Sequence, residues 1–189
     1  MRVVAGLAGG RRLRVPAGRK VRPTSERVRE ALFNSLGSLD VLDGATVLDL
    51  FAGTGALGIE ALSRGAGSAT FVDADLQAIR VIKDNLRVTG LGDRARVVHA
   101  DVFRFLADTP DPVGLPAMYD IAFADPPYAF DGWPALLGAL RARVVAIEAR
   151  SHVALEAGWR PLRSKRYGDT VVTLARYEPD PTAPLEEQG

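Results

Sequence analysis

Four consecutive residues, Asp125-Pro126-Pro127-Tyr128, carry the most specific chemical signal in the chain. The Asp125 carboxylate and the Pro126 carbonyl are acceptors, and each can accept one N–H of an amine. The two prolines restrict the backbone and so fix the direction of that carbonyl. Tyr128 offers an aromatic face on which an extruded base can stack. These residues predict a catalytic site that holds an amino group, with a proline turn and a helix-capping aspartate as the structural alternative.

A glycine loop precedes this motif in the chain. Residues 53–58 (GTGALG) fit the spacing G-x-G-x-x-G between a predicted strand and a predicted helix, and Asp73 stands twenty residues after Gly53. By spacing alone this is a dinucleotide fingerprint, in which glycines let the backbone approach a ligand and the acid accepts hydrogen bonds from ribose hydroxyls. Any adenosine-containing cofactor would suit the loop. A tight turn, with Asp73 capping the next helix, is the alternative.

Asp49 separates the possible cofactors, because it lies inside an otherwise apolar strand four residues before Gly53. A carboxylate there can hold backbone donors of the loop or face a cationic ligand, and S-adenosylmethionine carries a sulfonium and an ammonium. Residues 49–55 (DLFAGTG) therefore look like the cofactor loop of class I methyltransferases. In such enzymes an acid at the position of Asp101 accepts the adenine amino group, although Asp101 could also cap the helix that follows. The cofactor-binding residues expected on this resemblance are Asp49, Phe51, Ala52, Gly53, Thr54, Gly55, Asp73, Ala74, Asp101 and Val102.

The charge of the chain is divided unevenly along its length. Residues 1–30 contain nine basic and two acidic residues, for a net charge of +7, whereas the remaining residues carry 15 basic and 21 acidic residues, for −6. A basic arm on an acidic body favours a polyanionic partner. A solvated charged tail is the alternative that charge alone leaves open.

The composition excludes several classes of protein. The longest run without a charge has ten residues, 50–59, which is far short of the roughly twenty that a spanning helix needs. The absence of cysteine removes disulfides, thiolate zinc sites, iron–sulfur clusters and cysteine nucleophiles, and His99 and His152 are the only histidines. We therefore expect no metal site and no membrane partner. Because no secretory segment is recognisable, we expect a cytoplasmic protein.

The pattern of apolar residues predicts the elements that position these groups. Residues 2–15 are expected to form two short strands around Gly9-Gly10, and a helix is expected near 24–36, ending at Gly37. From residue 45 strands alternate with helices, which predicts an α/β fold with a mostly parallel, doubly wound sheet. The predicted strands are 46–51, 69–72, 96–99, 119–124, 144–148 and a terminal pair ending in 170–177. The predicted helices are 56–64, 75–88, 101–107 and 133–141. We expect a basic extension over 1–37, a catalytic domain over 38–178 and a disordered tail over 179–189.

Several segments together resemble one family. These are residues 22–24 (RPT), 28–34 (VREALFN), 48–58 (LDLFAGTGALG), 125–128 (DPPY) and 167–170 (YGDT). They resemble the bacterial RsmD-type enzymes, which methylate the exocyclic N2 of one guanine in 16S ribosomal RNA, and the resemblance extends over residues 2–177. It implies a Rossmann-like seven-stranded methyltransferase sheet, S-adenosylmethionine as donor, and an assembling small ribosomal subunit as substrate. On this basis we expect a monomer.

The resemblance also gives the basic arm a role. A guanine inside folded RNA is reached through phosphate contacts and extrusion of the base. The residues expected to contact RNA are Arg11, Arg12, Arg14, Arg19, Lys20 and Arg22.

Other functions remain open at this stage. A DNA adenine-N6 or cytosine-N4 methyltransferase uses a similar Pro-Pro motif but generally carries a target-recognition insert, for which no connection looks long enough. Protein glutamine methylation typically uses Asn before the prolines. A dehydrogenase leaves Asp49 and Asp125 unexplained, and a ribosome-assembly module without activity does not need the two intact motifs.

Overall fold

The computed structural model describes residues 1–15, 26–107, 118–127, 129–155 and 158–178. These residues contain one seven-stranded sheet with the order β3-β2-β1-β4-β5-β7-β6. Its strands are β1 (Thr46–Leu50), β2 (Ser68–Asp73), β3 (Ala95–His99), β4 (Tyr119–Ala124), β5 (Ala142–Ala149), β6 (Trp159–Tyr167) and β7 (Thr170–Tyr177). Strands β1 to β5 pair in parallel, and β7 is antiparallel to both β5 and β6. The expected mostly parallel, doubly wound sheet is confirmed.

Five helices cover the two faces of this sheet in the described part of the chain. They are α1 (Glu26–Ser38), α2 (Ala56–Ser63), α3 (Leu76–Thr89), α4 (Val102–Ala107) and α5 (Trp133–Ala139), and a short 3-10 helix spans Gly92–Arg94. Helices α1, α2 and α3 pack on one face with the inward residues of the sheet. Helices α4 and α5 pack on the other face.

Local sequence signals explain where α3 begins and ends. The Asp75 side chain accepts a hydrogen bond from the Gln77 N–H and so caps the first turn. Gly90 adopts a left-handed conformation at φ +71°, which glycine tolerates, and ends the helix. The observed helix lies within one residue of the predicted 75–88 at each end.

Helix α1 runs beyond its predicted end at Gly37. Its first described residue is Glu26, and it continues through Gly37 to Ser38. The left-handed conformation after this helix belongs to Asp40, at φ +54°, and the Asp40 N–H donates to the Gly37 carbonyl. The predicted stop was therefore wrong, because the turn that ends α1 uses a later residue. Its apolar face was predicted correctly in Val28, Leu32 and Leu36, which are buried, while Ala31 is half-buried.

The N-terminal segment folds back on itself but does not form two strands. Arg2 and Arg12 form a single antiparallel bridge, and the Val3 N–H donates to the Arg11 carbonyl at 3.0 Å. The expected pair of strands is therefore wrong, since the side chains of α2 satisfy other backbone donors of this segment. Glu60 accepts from the N–H groups of Val4 and Ala5 at 2.7 and 3.0 Å. The segment is thus docked on α2 by buried side-chain contacts.

Two parts of the prediction lie outside the described residues: the beginning of the α1 prediction at residues 24–25 and the tail at 179–189. Within the described ranges, no helix combines the length and apolar character needed to cross a membrane.

Candidate active site

Three carboxylates meet at the edge of the sheet where β1, β2 and β4 end. Asp73 is the last residue of β2, and Asp125 directly follows β4. The register places Leu50 opposite Val72 and Ala124, so Asp73 and Asp125 flank the end of β1 at the same level. Asp49 lies one residue before the end of β1. This is the edge at which open α/β sheets bind ligands.

Asp73 holds the glycine loop through its side chain. Its Oδ2 accepts from the Gly53 N–H at 2.8 Å, and its Oδ1 accepts from the Asp75 N–H at 2.8 Å. Helix α3 is capped by Asp75, so the alternative in which Asp73 caps that helix is wrong. Each carboxylate oxygen has a further lone pair, so Asp73 can still accept hydrogen bonds from ribose hydroxyls. Ala74 is exposed beside it, and its carbonyl lies 3.0 Å from Nε2 of His99.

Asp49 is buried beneath the same loop, with 2% of its surface exposed. Its Oδ2 accepts from the Gly58 N–H at 2.9 Å, so it holds a donor of α2 near the loop. Burial raises the pKa of the Asp49 carboxyl well above its ordinary value, the Gly58 hydrogen bond opposes this shift, and the charges of Asp125 and Asp73 add to it. Burial and the two neighbouring carboxylates thus disfavour a negative charge on Asp49, and a cationic ligand at this site would favour it.

The structure requires glycine at different positions of the loop for different reasons. Gly53 and Gly55 adopt left-handed conformations at φ +57° and +74°. A Cβ on Gly58 would lie 2.3 Å from a ring carbon of Phe71, so a side chain there has no room. Among the described residues, a Cβ on Gly53 would meet only the Phe51 carbonyl, at 3.8 Å, so this part of the structure leaves room for a ligand above Gly53. Phe51 itself takes φ +56°, an uncommon conformation for a residue with a side chain.

The loop also connects with the N-terminal segment. Asn85 of α3 is fully buried, and its Nδ2 donates to the carbonyls of Thr54 and Arg14 at 2.9 and 3.1 Å. Its Oδ1 accepts from the Arg14 N–H at 2.7 Å. Ala52, at the start of the same loop, donates its N–H to the Val72 carbonyl of β2. Asn85 thus joins the basic arm to the glycine loop through three hydrogen bonds.

Asp101 caps α4, as the structural alternative predicted. Its Oδ1 accepts from the N–H groups of Phe103 and Arg104 at 3.0 and 3.1 Å. The side chain is exposed, and Val102 beside it is buried. Both hydrogen bonds go to one oxygen, so the capping role is compatible with a further contact through the carboxylate.

The Asp-Pro-Pro segment follows β4 directly. Asp125 is half-buried, Pro126 is buried and Pro127 is exposed. The Phe130 N–H donates to the Pro127 carbonyl at 2.9 Å, which closes a tight turn after the prolines. Tyr128 lies outside the described residues.

Aromatic side chains surround this turn. The ring of Phe130 lies 5.3 Å from Phe51, 5.0 Å from Trp133 and 6.2 Å from Phe103, measured between centroids. Phe130 and Trp133 are partly buried and pack against the apolar core on the face of the sheet that α4 and α5 cover. Phe103 remains 37% exposed. The sequence interpretation missed Phe103, and its place directly after Asp101 and Val102 was the available signal.

Two arginines of the basic arm contact helix α3 of the body. The Arg11 Nη1 donates to the Val88 carbonyl near the end of α3, and Arg14 pairs with Asp84 at 2.9 Å. Arg12 is exposed. Arg19, Lys20 and Arg22 lie outside the described residues.

The sheet order and the site at its carboxyl edge define a Rossmann-like class I methyltransferase fold. The family model described as "Conserved hypothetical protein 95" matches residues 1–176. The chain belongs to this family, and the resemblance to RsmD-type methyltransferases is confirmed.

Relatives and a solved structure agree with this assignment. "Putative rRNA methyltransferase YlbH" of Bacillus subtilis is 44% identical over 138 residues, which cover 72% of each chain. "Ribosomal RNA small subunit methyltransferase D" of Escherichia coli K12 is 42% identical over 128 residues, which cover 68% of this chain and 60% of that protein. The solved "Putative methyltransferase yhhF" from Escherichia coli matches with a TM-score of 0.81 and 33% identity, over 95% of this chain and 99% of that one.

Proposed function

We propose that this protein transfers a methyl group from S-adenosylmethionine to the exocyclic N2 of a guanine in 16S ribosomal RNA. The observation that carries the proposal is the convergence of Asp49, Asp73 and Asp125 at one edge of the sheet, beside a segment that resembles an amine-holding motif. The curated relatives named for ribosomal RNA methylation favour the same substrate class.

The residues present fit the proposed cofactor. When bound, S-adenosylmethionine supplies an electrophilic methyl group on a sulfonium. Asp49 and its neighbouring carboxylates can provide negative charge for a cation, and no side chain of the described residues lies within 4 Å of a Cβ built on Gly53. Asp73, the last residue of β2, would accept hydrogen bonds from the ribose hydroxyls, and Asp101 and Val102, which follow β3, would contact the adenine.

The role proposed for Asp125 is to orient the amine. The lone pair of a guanine N2 is delocalised into the ring, so the amine is a weak nucleophile until it is held and partly pyramidalised. Asp125 and the Pro126 carbonyl would each accept one N–H, which directs the lone pair toward the methyl group. The new carbon–nitrogen bond forms as the carbon–sulfur bond breaks, and the nitrogen then loses its extra proton. Half-burial of Asp125 limits competition from water.

A comparison of Asp125→Asn with the unaltered protein tests this role. Asn keeps the size and one acceptor of Asp125 but removes the charge, so methyl transfer should fall by about 100-fold or more. The dissociation constant for S-adenosylmethionine should change less than a few-fold. Transfer from labelled S-adenosylmethionine to small subunits, free 16S ribosomal RNA and DNA would be measured together with calorimetric binding. Label in DNA alone, or equal loss of transfer and cofactor binding, contradicts the proposal.

A further inference from the structure

The edge strand β6 carries a concentration of positive charge. Its nine residues include four cations, Arg160, Arg163, Lys165 and Arg166, and no acid. All four are exposed. This cluster lies in the part of the chain whose net charge is −6, and the basic N-terminal arm does not include it.

The register brings part of this cluster level with the catalytic motif. Ala124 of β4 lies opposite Ile147, Ile147 opposite Thr173, and Thr173 opposite Ser164 of β6. Strand β6 runs in the same direction as β4, because two antiparallel pairings separate it from β5. Lys165 is therefore level with Asp125, three strand spacings or about 14 Å away.

An irregularity in the ladder brings three of the four cations onto one face. Arg160 lies opposite Arg176, Arg163 opposite Leu174 and Lys165 opposite Val172, with a register shift between Pro161 and Arg163. Because side chains alternate along a strand, Arg160 would point away from Arg163 and Lys165 without this extra residue. The shared face lies beside α1, where Arg163 Nη1 donates to the Ser35 hydroxyl at 2.9 Å. Arg166, opposite Val171, points to the other face.

Within the described residues, the contacts of these cations leave their charge uncompensated. Arg163 donates to a hydroxyl, Arg166 Nη1 donates to the Arg150 carbonyl at 3.2 Å, and Lys165 Nζ lies 5.4 Å from the centroid of the Tyr167 ring. These partners are neutral, so the three cations keep their attraction for an anion. Within residues 159–177 the only acid is Asp169, in the turn after β6.

We propose that Arg163 and Lys165 form a second contact surface for the RNA backbone, here called the β6 surface. This rests on the proposed function, because RNA is the polyanion that the site would receive. With the N-terminal arm on α3 at the other side of the sheet, the β6 surface would place phosphate contacts on both sides of Asp125. Phosphate contacts of this kind position a nucleic acid without reading its sequence.

Protection of the sheet edge is the competing explanation, since charged residues on an edge strand prevent strand pairing between molecules. Charge reversal separates the two explanations. The double variant Arg163→Glu/Lys165→Glu keeps a charged edge but repels phosphate. Its matched control is Arg141→Glu/Arg160→Glu, which makes the same change in net charge at the amino-terminal ends of β5 and β6, away from Asp125.

The experiment measures binding of transcribed 16S ribosomal RNA across a salt series for these proteins, with methyl transfer assayed on the same samples. We expect Arg163→Glu/Lys165→Glu to bind more weakly and to reduce the slope of log K against log salt by about 1.4 to 1.8, the value for two lost phosphate contacts. The control should keep the original slope. If the reversal variant unfolds, Arg163→Gln/Lys165→Gln should show the same loss of slope.

The outcomes are distinguishable. Equal slopes for all folded variants, with methyl transfer to RNA intact, would overturn the β6 surface and leave the proposed function standing. A reduced slope, together with no methyl transfer by the unaltered protein to either free 16S ribosomal RNA or small subunits, would support the surface and contradict the proposed function. An unaltered protein that does not bind RNA would overturn both.

Discussion

Asp49 illustrates how one residue of the site can oppose folding and favour binding. Its carboxylate is buried, accepts from the Gly58 N–H and lies within the electrostatic reach of Asp73 and Asp125. Burial of a carboxylate close to two other carboxylates lowers the stability of the ligand-free protein. A cationic cofactor would reverse this cost, because it neutralises the excess charge. The sequence predicted a carboxylate beside the loop, but its burial and its Gly58 partner depend on the packed helix α2.

The variant Asp49→Asn should separate the two effects. Its side-chain oxygen can still accept from Gly58, while the charge is gone, so S-adenosylmethionine should bind at least about tenfold more weakly, or about 1.4 kcal/mol. Calorimetric titration measures this change. Asp93→Asn, an exposed change in the 3-10 helix, should bind as the unaltered protein does. Equal affinity of both variants would exclude an electrostatic role for Asp49.

The raised pKa of Asp49 predicts that the effect of Asp49→Asn on stability depends on pH. Below the ordinary pKa of an aspartate the carboxyl is protonated in both folded and unfolded chains, so it costs nothing. Between that pKa and the raised pKa of folded Asp49 only the unfolded chain releases its proton, so stability falls as pH rises across this interval and levels off above it. The melting temperature of Asp49→Asn relative to the unaltered protein should therefore increase from acid to neutral pH. A difference in melting temperature that is independent of pH would contradict the assigned burial cost.

At the scale of elements, α2 connects the N-terminal segment to the site. Glu60 is fully buried and pairs with Arg64 at 2.7 Å and with the buried Arg29 at 3.4 Å, while it accepts from the N–H groups of Val4 and Ala5. Burial lowers the pKa of Arg29, and the charge of Glu60 opposes that shift. One carboxylate thus holds α1, α2 and the N-terminal segment together.

Glu60→Ala should therefore be strongly destabilising. It leaves Arg29 buried without its counter-charge, and the loss of a partner from such a pair costs about 3 to 5 kcal/mol of unfolding free energy. Urea unfolding measures the loss. Glu26→Ala, which removes the exposed Arg2–Glu26 pair, should change stability little. Similar losses in the two variants would show that the buried pair does not organise this region.

The elements that the sequence predicted best carry their own boundary signals. Strand β4 was predicted at its observed bounds because an apolar run ends directly at Asp125 and two prolines. Strand β5 is longer than the predicted 144–148, because pairing with β4 extends it back to Ala142 and pairing with β7 extends it to Ala149. The buried positions of Arg29, Glu60 and Asn85 could not be predicted from spacing, since their partners are distant in the sequence.

At the scale of the whole molecule, the division of charge is more complex than a basic arm and an acidic body. Arg11 and Arg14 of the arm contact α3, and the body presents a cationic edge at β6. The acidic groups that matter for the proposed cofactor lie inside, at the ends of β1, β2 and β4. The uneven distribution of charge along the sequence predicted a polyanionic partner. Where on the surface that partner would be contacted depends on the sheet order and register, which the sequence alone does not provide.

The identity of the methylated nucleoside tests the central claim most directly. Small subunits lacking the modification would be incubated with the protein and S-adenosylmethionine, and the RNA digested to nucleosides and analysed by mass spectrometry. The proposed function predicts N2-methylguanosine from 16S ribosomal RNA, and none with Asp125→Asn above about one hundredth of the native rate. A methyl group on adenine N6, on cytosine N4, or on any protein or DNA acceptor instead of guanine N2 would contradict it.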